Sequence, residues 1–97
     1  MKPLRLILPA RREITEAYEY YMSEDPTLGD RFLVALRIAF RAIREWPAAC
    51  PEIVPPYRQR LLRAFPYGVV YREYPDKISV VAVAHLHRKP AYWHERI

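Results

Sequence analysis

Five residues near the end of the chain have side chains that move protons or hold anions. In "AVAHLHRKPAYW" (residues 82–93), an apolar run gives way to His85, His87, Arg88 and Lys89, followed by Tyr92 beside Trp93. A histidine titrates near neutral pH and can transfer a proton, while arginines can stabilise the charge of a phosphate undergoing attack. With Arg58 and Arg60 brought alongside, His85, Arg88 and Tyr92 would suit acid–base cleavage of RNA. The plainer alternative is a solvated basic strand end, with Tyr92 and Trp93 as a hydrophobic lid. His85-x-His87 would project to one side of a strand, and His94 could add a nitrogen. No Asp, Glu or Cys stands at a helpful spacing, so neither a metal nor another cofactor is expected.

A second set of cations lies in the first half. Arg37, Arg41 and Arg44 recur at helical spacing and form a stripe. The stripe is either a solvated face, with Arg41 and Glu45 as a weak i,i+4 pair, or a docking surface for an acidic partner. Cys50 has no histidine or carboxylate beside it in "WPAACPEIVPP" and reads as an ordinary small residue.

The elements that position these groups are legible from periodicity. "LRLIL" (4–8) is a short strand closed by Pro9. Ile14, Ala17, Tyr18, Tyr21 and Met22 mark a helix over about 10–24. Asp25 caps a second helix, with Pro26 in its first turn, which runs to about Trp46. Its core face carries Leu28, Phe32, Ala35, Leu36, Ala39, Phe40 and Ile43. Residues 47–56 hold four prolines and read as an ordered surface loop. Three strands follow, 57–65, 67–74 and 77–86, rich in Val, Tyr and Ile and separated by Phe65-Pro66 and Pro75-Asp76. The last is apolar on both faces and so belongs at the centre of the sheet, with Phe32 and Phe40 packed across from Val80–Val83. Pro90 opens a short helical turn. The fold class is α+β, in the order β-α-α-β-β-β: an antiparallel twisted sheet packed against a helical hairpin.

Composition bounds the rest. The 97 residues suffice for a single domain, 1–97, and the 52% hydrophobic and 28% charged content is that of a globular chain. No apolar run approaches the roughly 18–20 residues of a membrane span. The start, "MKPLRLILPARRE", has no small-residue cleavage site. That and the single cysteine predict a cytoplasmic protein. The net charge is +5, and 13 of the 16 cations are arginines, which suit bidentate recognition of carboxylates and phosphates.

"RLLRAFPYGVVYREYPDKISVVAVAHLHRKPAYW" resembles the C-terminal half of the RelE/ParE superfamily, the toxins of bacterial type II toxin–antitoxin modules. "FPYGVVY" and the "AVAHxxRxPxYW" ending are its most specific parts, and the order of the preceding elements agrees. The resemblance implies a toxin neutralised by a cognate acidic antitoxin, in a hetero-oligomer with it. RelE-like members cut mRNA on the ribosome with basic residues and often a C-terminal tyrosine. ParE-like members share the fold and poison DNA gyrase. Where the nuclease pattern has an arginine after the tyrosine of the third-strand motif, this chain has Gly68, and no lysine lies between Lys2 and Lys77. Arg60, Arg63, Arg88 and Tyr92 could substitute in part. The resemblance therefore favours the ParE-like branch. On that branch His85, His87, Arg88, Tyr92 and Trp93 are a structural and partner-binding cluster, and Arg37, Arg41 and Arg44 contact the antitoxin. The alternatives are a ribosome-dependent mRNA endonuclease using Arg60, His85, Arg88 and Tyr92, and a family member without toxicity.

Overall fold

A computed structural model describes residues 1–97. Strand β1 (Leu4–Leu6) leads directly into helix α1 (Leu8–Glu24), and α2 (Pro26–Glu45) returns antiparallel to it. Then come β2 (Glu52–Val54), β3 (Tyr57–Leu61), β4 (Tyr67–Glu73) and β5 (Ile78–His85), and a short 3-10 turn (Tyr92–Arg96). The five strands make one sheet in the order β1-β5-β4-β3-β2, with β5 between β1 and β4.

The helical hairpin forms where periodicity places it. Asp25 Oδ1 accepts from the Thr27 backbone N–H and hydroxyl, both at 2.9 Å, satisfying an otherwise orphaned donor at the start of α2. Those hydrogen bonds hold the Asp25 carboxyl below its usual range. Phe32, Leu36, Ala39 and Ile43 bury one face of α2 against Val69, Tyr71, Val80 and Val83 of the sheet. Phe32 is fully buried, whereas Phe40 is only half-buried at the margin of this layer.

Four details differ from the sequence expectation. Pro9 does not close β1 but sits in the first turn of α1, where a missing N–H costs nothing. Residues 52–54 of the supposed loop form β2, an edge strand between Pro51 and Pro55; prolines are tolerated there because an edge N–H has no ladder partner. β3 ends at Leu61, after which Leu62 turns into the core and Ala64 adopts a left-handed φ of 68°. Finally, β2–β5 form an antiparallel meander, but β1 pairs with β5 in parallel, so the sheet is mixed.

The sheet also carries a bulge that decides which side each group faces. Val70 pairs with Ala82 and Tyr71 with Val80, leaving Val81 as an extra residue on β5. Ile78, Val80 and Val83 therefore face the helices, while Val81, Ala82 and Ala84 face away. On that second face the C-terminal segment lies as a strap, with Trp93 buried against Tyr57 at a ring separation of 5.3 Å.

Candidate functional site

β1 stops opposite Val80, so β5 runs on with an open edge. Side chains complete that edge. The Val83 N–H donates to Glu13 Oε1 at 3.0 Å, and Arg96 Nη1 donates to the Val81 carbonyl at 3.0 Å. Arg96 grips Glu13 with both arms, at 2.8 and 3.0 Å, and the Tyr92 hydroxyl donates to the same carboxylate. The Arg88 guanidinium stacks 3.8 Å from the Tyr92 ring centre, with Nη1 3.7 Å from Glu13 Oε2. One carboxylate, its side chain only 10% exposed, thus ties α1, the end of β5 and the strap together. Such a charge is tolerated away from water because a bidentate arginine and further donors satisfy it.

This geometry fixes the state of Tyr92. Burial, then the hydrogen bond to Glu13, push its phenol well above the ordinary tyrosine range, and Glu13 likewise holds Arg96 more firmly protonated. A phenol so disposed keeps its proton, directed at a carboxylate within the fold.

Of the other predicted residues, His85 stays with this cluster, lining clefts shared with Arg88, Tyr92 and Glu13, and the rest are dispersed. His85 ends β5, with its ring 5.1 Å from that of Tyr67. His87 does not follow it on the strand: the chain has already turned, and the two rings meet 4.9 Å apart because the His87 N–H donates to His85 Nδ1 at 3.1 Å. His94 lies on the 3-10 turn with Trp93, and no group of three or more His, Cys, Asp or Glu could hold a metal ion. Arg60 is on the helix side beside the Cys50 sulfur, 3.7 Å away, not with His85 and Tyr92. At Gly68 a Cβ would lie 2.7 Å from the folded-over Gln59 side chain, so glutamine occupies the space that a larger residue would need.

Of the α2 stripe, Arg37 and Arg41 are exposed, and Arg41 Nε pairs with Glu45 at 2.9 Å. Arg44 is half-buried and donates to the Lys2 carbonyl at 3.1 Å, so it serves the fold. A larger feature lies on the neighbouring face: a groove of about 520 Å³ between α2 and the 60–65 segment. Val34, Ile38 and Leu61 line it, all exposed, and Arg31, Arg60 and Arg63 surround them. Sequence reasoning missed Glu13, Arg96, Arg31 and this groove. Glu13 did leave a signal, since it is a charge set among Ala10, Ile14 and Ala17 on the inward face of α1.

The buried phenols give the fold an alkaline limit. Desolvation raises Tyr21, Tyr67, Tyr71 and Tyr92 above their ordinary value. A raised folded value means that the stability they contribute is complete below about pH 10, where the unfolded phenol titrates, and is lost as pH rises through the folded values. Denaturation midpoints should be level across neutral pH and fall above about pH 10. A midpoint unchanged well above that pH would contradict the burial of these hydroxyls.

The family model described as "ParE toxin of type II toxin-antitoxin system, parDE" matches residues 4–90. A solved structure titled "Chromosomal ParDE TA system from P. aeruginosa" superimposes with a TM-score of 0.66. It covers 90% of this chain and 98% of its own, at 16% identity. No curated protein matches.

Proposed function

Because the chain belongs to the ParE toxin family of type II toxin–antitoxin systems, we propose that it arrests growth by binding a target, DNA gyrase, and that a cognate acidic antitoxin holds it inactive. The observation that carries this reading is the engagement of Tyr92 and Arg88 by Glu13. A nuclease needs a proton carrier poised at the scissile phosphate. Here the tyrosine is spent on the fold, Gly68 offers no side chain, and Arg60 lies elsewhere.

The α2 groove is the docking site we assign to the antitoxin. An amphipathic acidic segment would lay its apolar side over Val34 and Ile38 and pair its carboxylates with Arg31, Arg60 and Arg63. Ile38→Asp should weaken the complex at least tenfold while leaving the fold intact, since Ile38 is 63% exposed. Charge reversal at Arg37 and Arg41 should have a smaller, salt-sensitive effect. Equal affinities for the wild type and Ile38→Asp would move the antitoxin off this groove.

The test of the activity is induction in bacteria, with mRNA ends and plasmid supercoiling mapped in parallel. Supercoiling should fail first, without codon-phased cleavage, and folded Tyr92→Phe should remain toxic. Ribosome-dependent cuts that vanish in Tyr92→Phe would replace gyrase binding with mRNA cleavage.

A further inference from the structure

The sheet face turned away from the helices is covered by the strap only at the C-terminal end of β5. At the other end, three strands place Arg5, Ser79 and Arg72 side by side in register. Leu4, Leu6, Ile78 and Tyr71 pack on the helix side, so alternation puts this row on the open face. The row is a basic notch. At about 4.8 Å per strand, the Cα atoms of Arg5 and Arg72 stand about 10 Å apart, and the short Ser79 side chain leaves a gap between them.

The arginine on β4 is pre-positioned. Its guanidinium carbon lies 4.6 Å from the Tyr74 ring centre and 6.0 Å from that of Tyr57. Lys77 adds a third positive charge, its Nζ 5.3 Å from the same Tyr74 ring centre. Ion pairs join Lys2 to Glu73, Arg41 to Glu45, and both Arg88 and Arg96 to Glu13, leaving Arg5, Arg72 and Lys77 without a carboxylate. Glu73, the nearest acid on β4, is on the helix side, held by Lys2 at 2.6 Å. The two arginines flank Ser79 from the strands on either side of β5, so an anion seated over Ser79 would lie between them.

We propose that Arg5, Ser79 and Arg72 form a binding notch for a phosphate group. Each guanidinium presents a planar fork of N–H donors. A carboxylate has two oxygens and satisfies one fork. A phosphate's oxygens can accept from both forks and from the Ser79 hydroxyl at once. The notch lies on the opposite side of the sheet from the α2 groove, and its Ser79 is two residues along β5 from Val81, whose carbonyl Arg96 holds. It does not depend on the identity of the toxin's target. The phosphate could be that of a nucleotide or of a nucleic-acid backbone, and the two sources are separable by experiment.

The test is titration of isotope-labelled full-length protein with inorganic phosphate, against chloride at matched ionic strength, followed by NMR. Saturable shifts should appear at the Arg5, Ser79 and Arg72 amides and at the arginine Nε–H groups. The double variant Arg5→Gln/Arg72→Gln should abolish them, and Ser79→Val should weaken binding several-fold, with Trp93 fluorescence confirming that each variant is folded. Parallel titrations with a nucleoside diphosphate and a single-stranded oligonucleotide distinguish the sources. A nucleotide source gives affinity independent of chain length, and a backbone source gives affinity that rises with length and falls steeply with salt. Three results would overturn the proposal: shifts reproduced by chloride, shifts retained in the folded double variant, or an acidic peptide binding there as tightly as phosphate.

Discussion

Glu13→Ala should lower the free energy of unfolding by about 3–5 kcal/mol, the range for removing one partner of a buried pair. The substitution leaves Arg96 without its carboxylate, the Val83 N–H without an acceptor and the Tyr92 hydroxyl unpaired, all at once. Because these bonds hold the strap, its release should be visible before global unfolding, as a red shift of Trp93 emission when the indole leaves Tyr57. Glu13→Gln keeps the shape but not the charge, and should cost less, about 1.5–3 kcal/mol. Chemical denaturation of both, beside the exposed control Glu45→Ala, measures the difference. If Glu13→Ala moved the midpoint no further than Glu45→Ala, the carboxylate would not be what fastens the C-terminal segment.

Phe32→Ala should cost a comparable amount, about 3–5 kcal/mol, for a different reason: a cavity. The ring is fully buried and meets Phe65 and Tyr67 edge-on and Tyr21 at a tilt, each at a centroid distance of 5.5 Å. Those three neighbours come from α1, from the turn after β3 and from β4, so none can close the void without dragging its own element. Small domains have only about 5–15 kcal/mol in all, and the variant should therefore melt near ambient temperature or fail to accumulate. Phe40→Ala, at the half-buried margin, should cost clearly less. Equal losses at the two positions would mean that the helix layer sits on the sheet differently.

The parts of this fold that could be read from the sequence were those with a repeating signal. Ile14, Ala17, Tyr18 and Tyr21 mark α1 at helical spacing, Phe32 to Ile43 mark α2, and Asp25-Pro26 announces the boundary between them. The middle place in the sheet belongs to β4, not β5. β5 could be recognised as an interior strand because it is apolar on both faces, but for the same reason its bulge could not. In a "VVAVA" run, an extra residue changes no hydrophobic pattern while reversing the face of everything after it. β2 was hidden because prolines usually argue against strand, and an edge is the place where that argument lapses. The candidate site was harder still. His85, Arg88 and Tyr92 draw attention by type, yet the residue that organises two of them is Glu13, 79 positions from Tyr92. No local spacing encodes that encounter.

The interior strand that joins β1 to the meander is also the last strand that the chain reaches. Until Ile78–His85 has been made, β1 has no partner, α1 lacks the strand it packs on, and β4 keeps one edge bare. The bonds that then close span most of the chain, up to 83 positions for Arg96 to Glu13. Contacts so distant in sequence make for slow folding, because a long loop must be closed before anything is gained. A growing polypeptide that stops short of residue 78 therefore presents Val69, Tyr71 and the inner side of α2 to solvent. The finished surfaces arrive together and late, so the moment at which this protein becomes competent is set by its final twenty residues.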